Sequence, residues 1–218
     1  MDAITTDRLV LRMFGQDDLD AYAAICADPQ VMRYIGEGGP VGRDIAWRHM
    51  ASFLGHWLLR GYGMWAIEER ASGRLIGRAG FMEPEGWPGR EIGWVLAHDS
   101  WGRGYACEAA VAALRDGRSR HGFTELISLI RPGNERSVAL ALRLGAVLDR
   151  SIDFMNLPTL VYRHPCVVQG HAARPGHDAA TPADLGESAA GEEDPGAGLD
   201  MEITPAEASP ANRPPRQP

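Results

Sequence analysis

Apolar positions recur with two periods along the chain up to Cys166, and the changes between the periods mark out the elements. Apolar and polar residues alternate from Arg8 to Met13, which predicts a strand. Leu19, Tyr22, Ala23 and Cys26 form one stripe at helical spacing. Asp17 or Asp18 stands where an N-cap belongs, and Asp28-Pro29 stops that helix. A longer helix is predicted from Arg43 to Arg60, with Ala46, Met50, Phe53, Leu54 and Trp57 on one face and Gly61 closing it. Three strand-like runs follow, Met64 to Glu68, Leu75 to Phe81 and Glu91 to Leu96. The turn-forming stretches Ala71-Ser72-Gly73 and Gly86-Trp87-Pro88-Gly89 separate them. Next come a helix from about Gly104 to His121, a strand from Glu125 to Ile130 and a helix from about Asn134 to Leu144. A hairpin of Val147–Phe154 and Thr159–Arg163 ends the series. The order β-α-α-β-β-β-α-β-α-β-β predicts an α/β (α+β mixed) domain, a mixed sheet with helices on it.

The periodicity ends at Cys166. The 52 residues from Val167 to Pro218 hold eight Pro, six Gly and eleven Ala, no aromatic residue, and nine acids against three Arg. So little apolar surface does not offset the entropy of ordering, so residues 167–218 are read as a disordered acidic tail and residues 1–166 as the folded domain. The formal net charge of −7 belongs almost entirely to that tail.

Charge and composition narrow the function further. All 22 basic residues are Arg, but no basic block exists, which argues against a nucleic-acid binder. No run approaches the ~20 apolar residues of a membrane span. The opening residues lack the basic-then-apolar build of a signal peptide, so a cytoplasmic enzyme is expected. Cys26, Cys107 and Cys166 are widely spaced and odd in number, and are read as reduced thiols. The seven His are scattered, and no ligand cluster suggests a metal.

The stretch that carries chemistry runs from Trp94 to Ala109. A strand ends, two glycines follow in Trp101-Gly102-Arg103-Gly104, and a helix begins. Glycines let main-chain N–H groups turn inward, and a helix start adds unpaired donors and the positive end of its dipole. Such a turn binds a phosphate or pyrophosphate through the backbone. No Gly-Lys-Ser/Thr follows, which removes the nucleoside-triphosphate loop. The glycines also follow the third strand of an antiparallel-looking run, which leaves dinucleotide binding weak.

With those residues in place, the sequence resembles the GNAT superfamily of acetyl-CoA-dependent N-acetyltransferases, and most of all its RimJ/RimL-like branch of ribosomal-protein N-terminal acetyltransferases. Four stretches carry the resemblance: Thr6-Asp7-Arg8-Leu9-Val10-Leu11-Arg12 as the opening strand, Glu91-Ile92-Gly93-Trp94 as the fourth strand, Trp101 to Ala106 as the pyrophosphate loop, and Asn134-Glu135-Arg136-Ser137 with Gly145. Trp101 stands where many members carry Gln or Arg. The resemblance implies a mostly antiparallel central sheet whose fourth and fifth strands splay. Pantetheine would pair with Trp94, Val95 and Leu96, and the diphosphate would sit on Trp101, Gly102, Arg103, Gly104, Tyr105 and Ala106. Asn134 and Ser137 would touch the cofactor from the second motif.

The reaction implied is transfer of an acetyl group to a primary amine, which needs a base, a polarised carbonyl and a proton for sulfur. Glu91 is the candidate base, with pairing to Arg78 or Arg90 as the alternative, and Glu108 is a rival acid. Ala141 stands where many members carry a Tyr acid, so Ser137 is the candidate donor to sulfur. Trp87 is the turn aromatic placed to touch substrate, and Gly36 to Pro40 reads as a mobile loop over the acceptor side. Glu37, Asp44, Glu83 and Glu85 would favour a cationic acceptor or are simply surface. The acceptor is a protein N-terminus or a small-molecule amine, and the protein a monomer or homodimer. An acetyl-CoA sensor without turnover is the competing reading.

Overall fold

The computed structural model describes residues 2–165; the expected tail from Val167 lies outside the described residues. Eight strands form one sheet: β1 (Ile4–Thr5), β2 (Leu9–Arg12), β3 (Met64–Glu69), β4 (Arg74–Met82), β5 (Glu91–Leu96), β6 (Leu126–Ile130), β7 (Val147–Phe154) and β8 (Leu157–His164). Their spatial order is β1-β2-β3-β4-β5-β6-β8-β7. Every neighbouring pair is antiparallel except β5 with β6, which is parallel. The fourth and fifth strands expected from sequence are β5 and β6, because the two-residue β1 precedes them.

Four helices flank the sheet: α1 (Leu19–Cys26), α2 (Arg43–Arg60), α3 (Tyr105–His121) and α4 (Glu135–Arg143). Alternation along the strands sorts the core into two layers. Met64, Ala66, Leu75 and Met82 pack with Phe14, Tyr22, Cys26 and Phe53 under α1 and α2. Trp65, Ile67, Ile76, Phe81, Ile92, Trp94 and Leu96 pack with the alanines of α3 and with Leu140 and Ala141 of α4. The small side chains of α3 let that helix lie close to the sheet, which brings its N-terminus to the end of β5.

Helix starts depart from expectation at one place. Asp18 does not cap α1 with its side chain. A 3-10 turn over Gln16–Asp18 precedes α1, and the Asp18 carboxylate accepts from the Gly15 N–H at 2.7 Å. It also pairs with Arg12 at 2.7 Å, so the acid ties β2 to the helix entry.

Candidate active site

β5 ends at Leu96, and a 3-10 turn over His98–Ser100 leads into the glycine loop. Gly102 and Gly104 have φ of 70° and 77°, the left-handed region that side chains disfavour. Gly104 is the N-cap of α3 and offers no capping side chain, so the first-turn N–H groups have no acceptor behind them within the helix. A Cβ on Gly102 would meet no atom within 4 Å, so the space over the turn is open. Left-handed glycines, a helix start and open ground make an anion cradle from main chain alone.

The side chains of the loop are occupied elsewhere. Arg103 Nη2 lies 3.1 Å from Glu69 Oε1, and the Tyr105 hydroxyl donates to the same oxygen at 2.6 Å. That bond, with burial, holds the Tyr105 hydroxyl above its ordinary pKa. Bonds from Ser72 and Tyr105 hold the Glu69 carboxyl below the ordinary range. Arg8 Nη1 donates to the Arg103 carbonyl at 2.8 Å, and its guanidinium lies 4.7 Å over the Tyr105 ring. Arg8 Nε also donates to Glu108 Oε2 at 2.7 Å, while Thr6 Oγ1 and the Arg8 N–H donate to Glu108 Oε1 at 2.6 and 2.9 Å. Burial pushes the Glu108 carboxyl up, but these bonds outweigh it and hold it below the usual range. Glu108 is thereby a tie between α3 and the turn that joins β1 to β2. Trp101 Nε1 donates to the Leu96 carbonyl at 3.0 Å, and the Arg136 guanidinium sits 4.3 Å over its ring, which joins the start of α4 to the loop.

β5 and β6 pair only at their beginning. The one register pair is Glu91 with Ile127, where the Ile127 N–H donates to the Arg90 carbonyl at 2.9 Å. The Ile92 carbonyl faces β6 as well, because it accepts from Ser128 Oγ at 2.7 Å. By the two-residue alternation of a strand, the main-chain groups of Trp94 and Leu96 then face the widening gap, while Val95 faces β4 in register with Arg78.

Glu91 is fully buried, on the face of β5 opposite to Trp94. Its Oε2 accepts from Trp87 Nε1 at 2.7 Å, and the half-buried Trp87 ring meets Phe154 edge-on at 4.8 Å. Arg90 pairs with Glu83 Oε2 at 2.9 Å. Arg78 is buried on the same face as Glu91, with its guanidinium on Tyr22 OH at 3.2 Å and 5.1 Å over Phe53. Among the surface acids, Glu85 pairs with Arg60 at 2.5 Å and Asp44 with Arg48 at 3.6 Å.

The Asn134 carbonyl oxygen Oδ1 accepts from the Ser137 N–H at 3.1 Å, which caps α4. Ser137 is fully buried, and its hydroxyl has no hydrogen-bond partner among the described residues. Leaving a hydroxyl so placed costs about 1–3 kcal/mol unless a ligand satisfies it. Ala141 is core, packed with Leu140, and offers no acid. Among the described residues no group of His, Cys, Asp and Glu can hold a metal ion.

This glycine loop beside a split sheet has known relatives. Residues 8–147 match the Acetyltransferase (GNAT) domain family. The chain belongs to the GNAT acetyltransferases. It is 32% identical over 167 residues to the protein YkkB of Bacillus subtilis, covering 73% of this chain and 93% of that one. An acetyltransferase from Agrobacterium tumefaciens is similar in structure, with a TM-score of 0.68 at 33% identity over 75% of this chain and 94% of the other. RimL, a ribosomal L7/L12 α-N-protein acetyltransferase in complex with coenzyme A, shares the fold at 15% identity, with a TM-score of 0.62 over 75% of this chain and 98% of that one. The protein is thus an acyltransferase enzyme of a family that uses acetyl-CoA.

Within this GNAT fold, Trp101 joins the glycine loop to the end of β5 through Leu96 and to the start of α4 through Arg136. Sequence reasoning did not foresee the Trp87–Glu91 hydrogen bond, the Phe154 contact or the part played by Ser128. It read Gly36 to Pro40 as a mobile loop over the acceptor side, without the contacts that hold its start. There Arg131 Nη2 donates to the Gly36 carbonyl, while Val31, Met32 and Ile35 pack on Val95. The spacing of Trp87 and Glu91, four residues across a Pro/Gly turn, was a readable sign of the first contact. The others join distant segments.

Proposed function

We propose that this enzyme moves the acetyl group of acetyl-CoA directly to a primary amine, either a protein N-terminus or a small molecule, as a member of the RimJ/RimL-like branch. The observation that carries this reading is the single register pair between β5 and β6 beside two left-handed glycines. It leaves main-chain donors on both sides of one opening. The N–H groups after Gly102 and Gly104 hold the diphosphate, with Trp101, Arg103, Tyr105 and Ala106 contributing main chain and walls. The gap-facing edge of β5 at Trp94 and Leu96 lines the pantetheine, Val95 being turned to β4, and Asn134 fixes the start of α4 against it.

Acetyl-CoA supplies an acetyl thioester, and the acceptor amine attacks its carbonyl carbon. Glu91 takes the ammonium proton, through a water where the buried carboxylate is not in direct reach, while Trp87 orients that carboxylate. Gap-facing N–H groups of β5 polarise the carbonyl. Ser137, whose hydroxyl is otherwise unsatisfied, donates to the departing sulfur. The catalytic unit in this reading is residues 1–166, so truncation after Cys166 leaves turnover intact.

A second reading, an acetyl-CoA sensor, draws on the complete burial of Glu91 and on Ala141 in place of a Tyr. Thiol release from acetyl-CoA, measured across N-terminal peptides and small amines, separates the two. Acceptor-dependent release supports the transferase, and cofactor binding without release for any acceptor supports the sensor.

A further inference from the structure

Parallel neighbours tend to go on pairing once begun, so the abrupt end of the β5–β6 ladder needs a cause. The next pair in register, Gly93 with Leu129, is not formed. At that point the Ile92 carbonyl is engaged by a side chain, Ser128 Oγ at 2.7 Å. The main chain of Ser128 faces the other way, toward Tyr162 of β8, so this residue reaches back across the sheet with its hydroxyl. The hydroxyl has one proton. With that proton on the Ile92 carbonyl, Oγ accepts from His164 Nε2 at 2.9 Å, which places the imidazole proton on Nε2. Ser128 and His164 are 2% and 3% exposed, so water does not compete for these bonds. His164 is neutral at neutral pH, because burial pushes its pKa down to about 4.

We infer that Ser128, oriented by His164, is the wedge that sets where the cleft opens, and is thereby a positioning residue for acetyl-CoA. By engaging the Ile92 carbonyl with a side chain, it makes Trp94 the first main-chain group of β5 offered to the cofactor. Without the hydroxyl, the nearest donor for that carbonyl is the Leu129 N–H, the next amide of β6 on this edge. A bond to it adds one rung and draws β6 into the space that pantetheine needs. This inference rests on the proposed line of the cofactor along Trp94.

The test compares Ser128→Ala, Ser128→Thr and a control, Val161→Ala, which removes core volume on β8, the strand on the other side of β6 from the gap. Ser128→Ala is expected to raise the Kd for CoA about tenfold, with kcat at saturating acetyl-CoA within about twofold of the parent. Ser128→Thr, which keeps the hydroxyl, returns the Kd to within about threefold. Val161→Ala lowers Tm without moving the Kd. A CoA Kd for Ser128→Ala within about twofold of the parent overturns the inference. Should Ser128→Ala fail to fold, amide exchange on the unmodified enzyme decides. The Leu129 amide is expected to exchange faster than that of Ile127, and equal protection overturns the wedge. CoA that binds without slowing exchange at Trp94 contradicts the cofactor line itself rather than the wedge.

Discussion

The two halves of the cleft are made of different material. On the half proposed for the cofactor, the candidate groups are mostly main chain: the turn at Gly102 and Gly104, the first turn of α3 and the edge of β5 that faces the gap. On the half proposed for the acceptor they are side chains drawn from separated segments, namely Glu91 held by Trp87, Phe154 beyond it, and Arg131 latched to Gly36. A diphosphate common to every CoA can be held by a backbone shape that tolerates many sequences. An acceptor must be told from other amines, which calls on side chains placed around it. In the proposed reading the cofactor half therefore depends little on side-chain identity, and the acceptor half depends on it more.

The largest effect expected from that contrast comes from Glu91→Gln. The amide keeps an oxygen for Trp87 Nε1 but takes no proton, so turnover falls about 100- to 10,000-fold while CoA affinity holds. A parallel loss of CoA affinity would dissolve the distinction between the halves.

The join between the halves should respond to acid. The folded-state pKa of His164, about 4, lies below its ordinary value of 6.5, so the unfolded chain binds the proton first as pH falls. Stability is full above pH 6.5 and declines toward pH 4, by up to about 3 kcal/mol from this group. Denaturant melts of the parent and of His164→Gln across that window check it, the variant showing the shallower decline.

A smaller effect belongs to Ser137→Ala. In the proposed mechanism the hydroxyl serves the departing thiolate, so kcat is expected to drop about tenfold with the KM for acetyl-CoA little changed. Smallest is Glu108→Gln, which weakens the tie to half-exposed Arg8. It costs about 1 kcal/mol in a thermal melt and leaves turnover within about twofold, which removes Glu108 as a base.

The same contrast explains what could be read from the sequence. Helix α2 and strands β5 and β7 fall where periodicity put them, and the glycine loop was legible because turn, glycines and helix start are contiguous. The β1 strand is two residues long, too short for any period to register. Arg78 entered the sequence reading only as a possible partner of Glu91, and its burial against Tyr22 and Phe53 shows once α1 and α2 cover that face. Glu83 and Glu85, which suggested a cationic acceptor, are engaged by Arg90 and Arg60, pairings set by the turn between β4 and β5 and the end of α2. Ser128 looks like any polar residue in a strand until β5 and β8 are placed on either side of it. Contacts between distant segments leave no local period behind, and the acceptor half consists of such contacts.

The claim that most depends on geometry is the backbone grip of the glycine loop. Isothermal titration of CoA into the parent enzyme and Gly104→Asp tests it directly. Asp at φ 77° strains the turn and brings its Cβ within 3.5 Å of Arg8 Nη2, the guanidinium that holds the Arg103 carbonyl, so the parent binds and the variant is expected to show no saturable heat. A Gly104→Asp enzyme that folds and keeps parental CoA affinity would contradict the account.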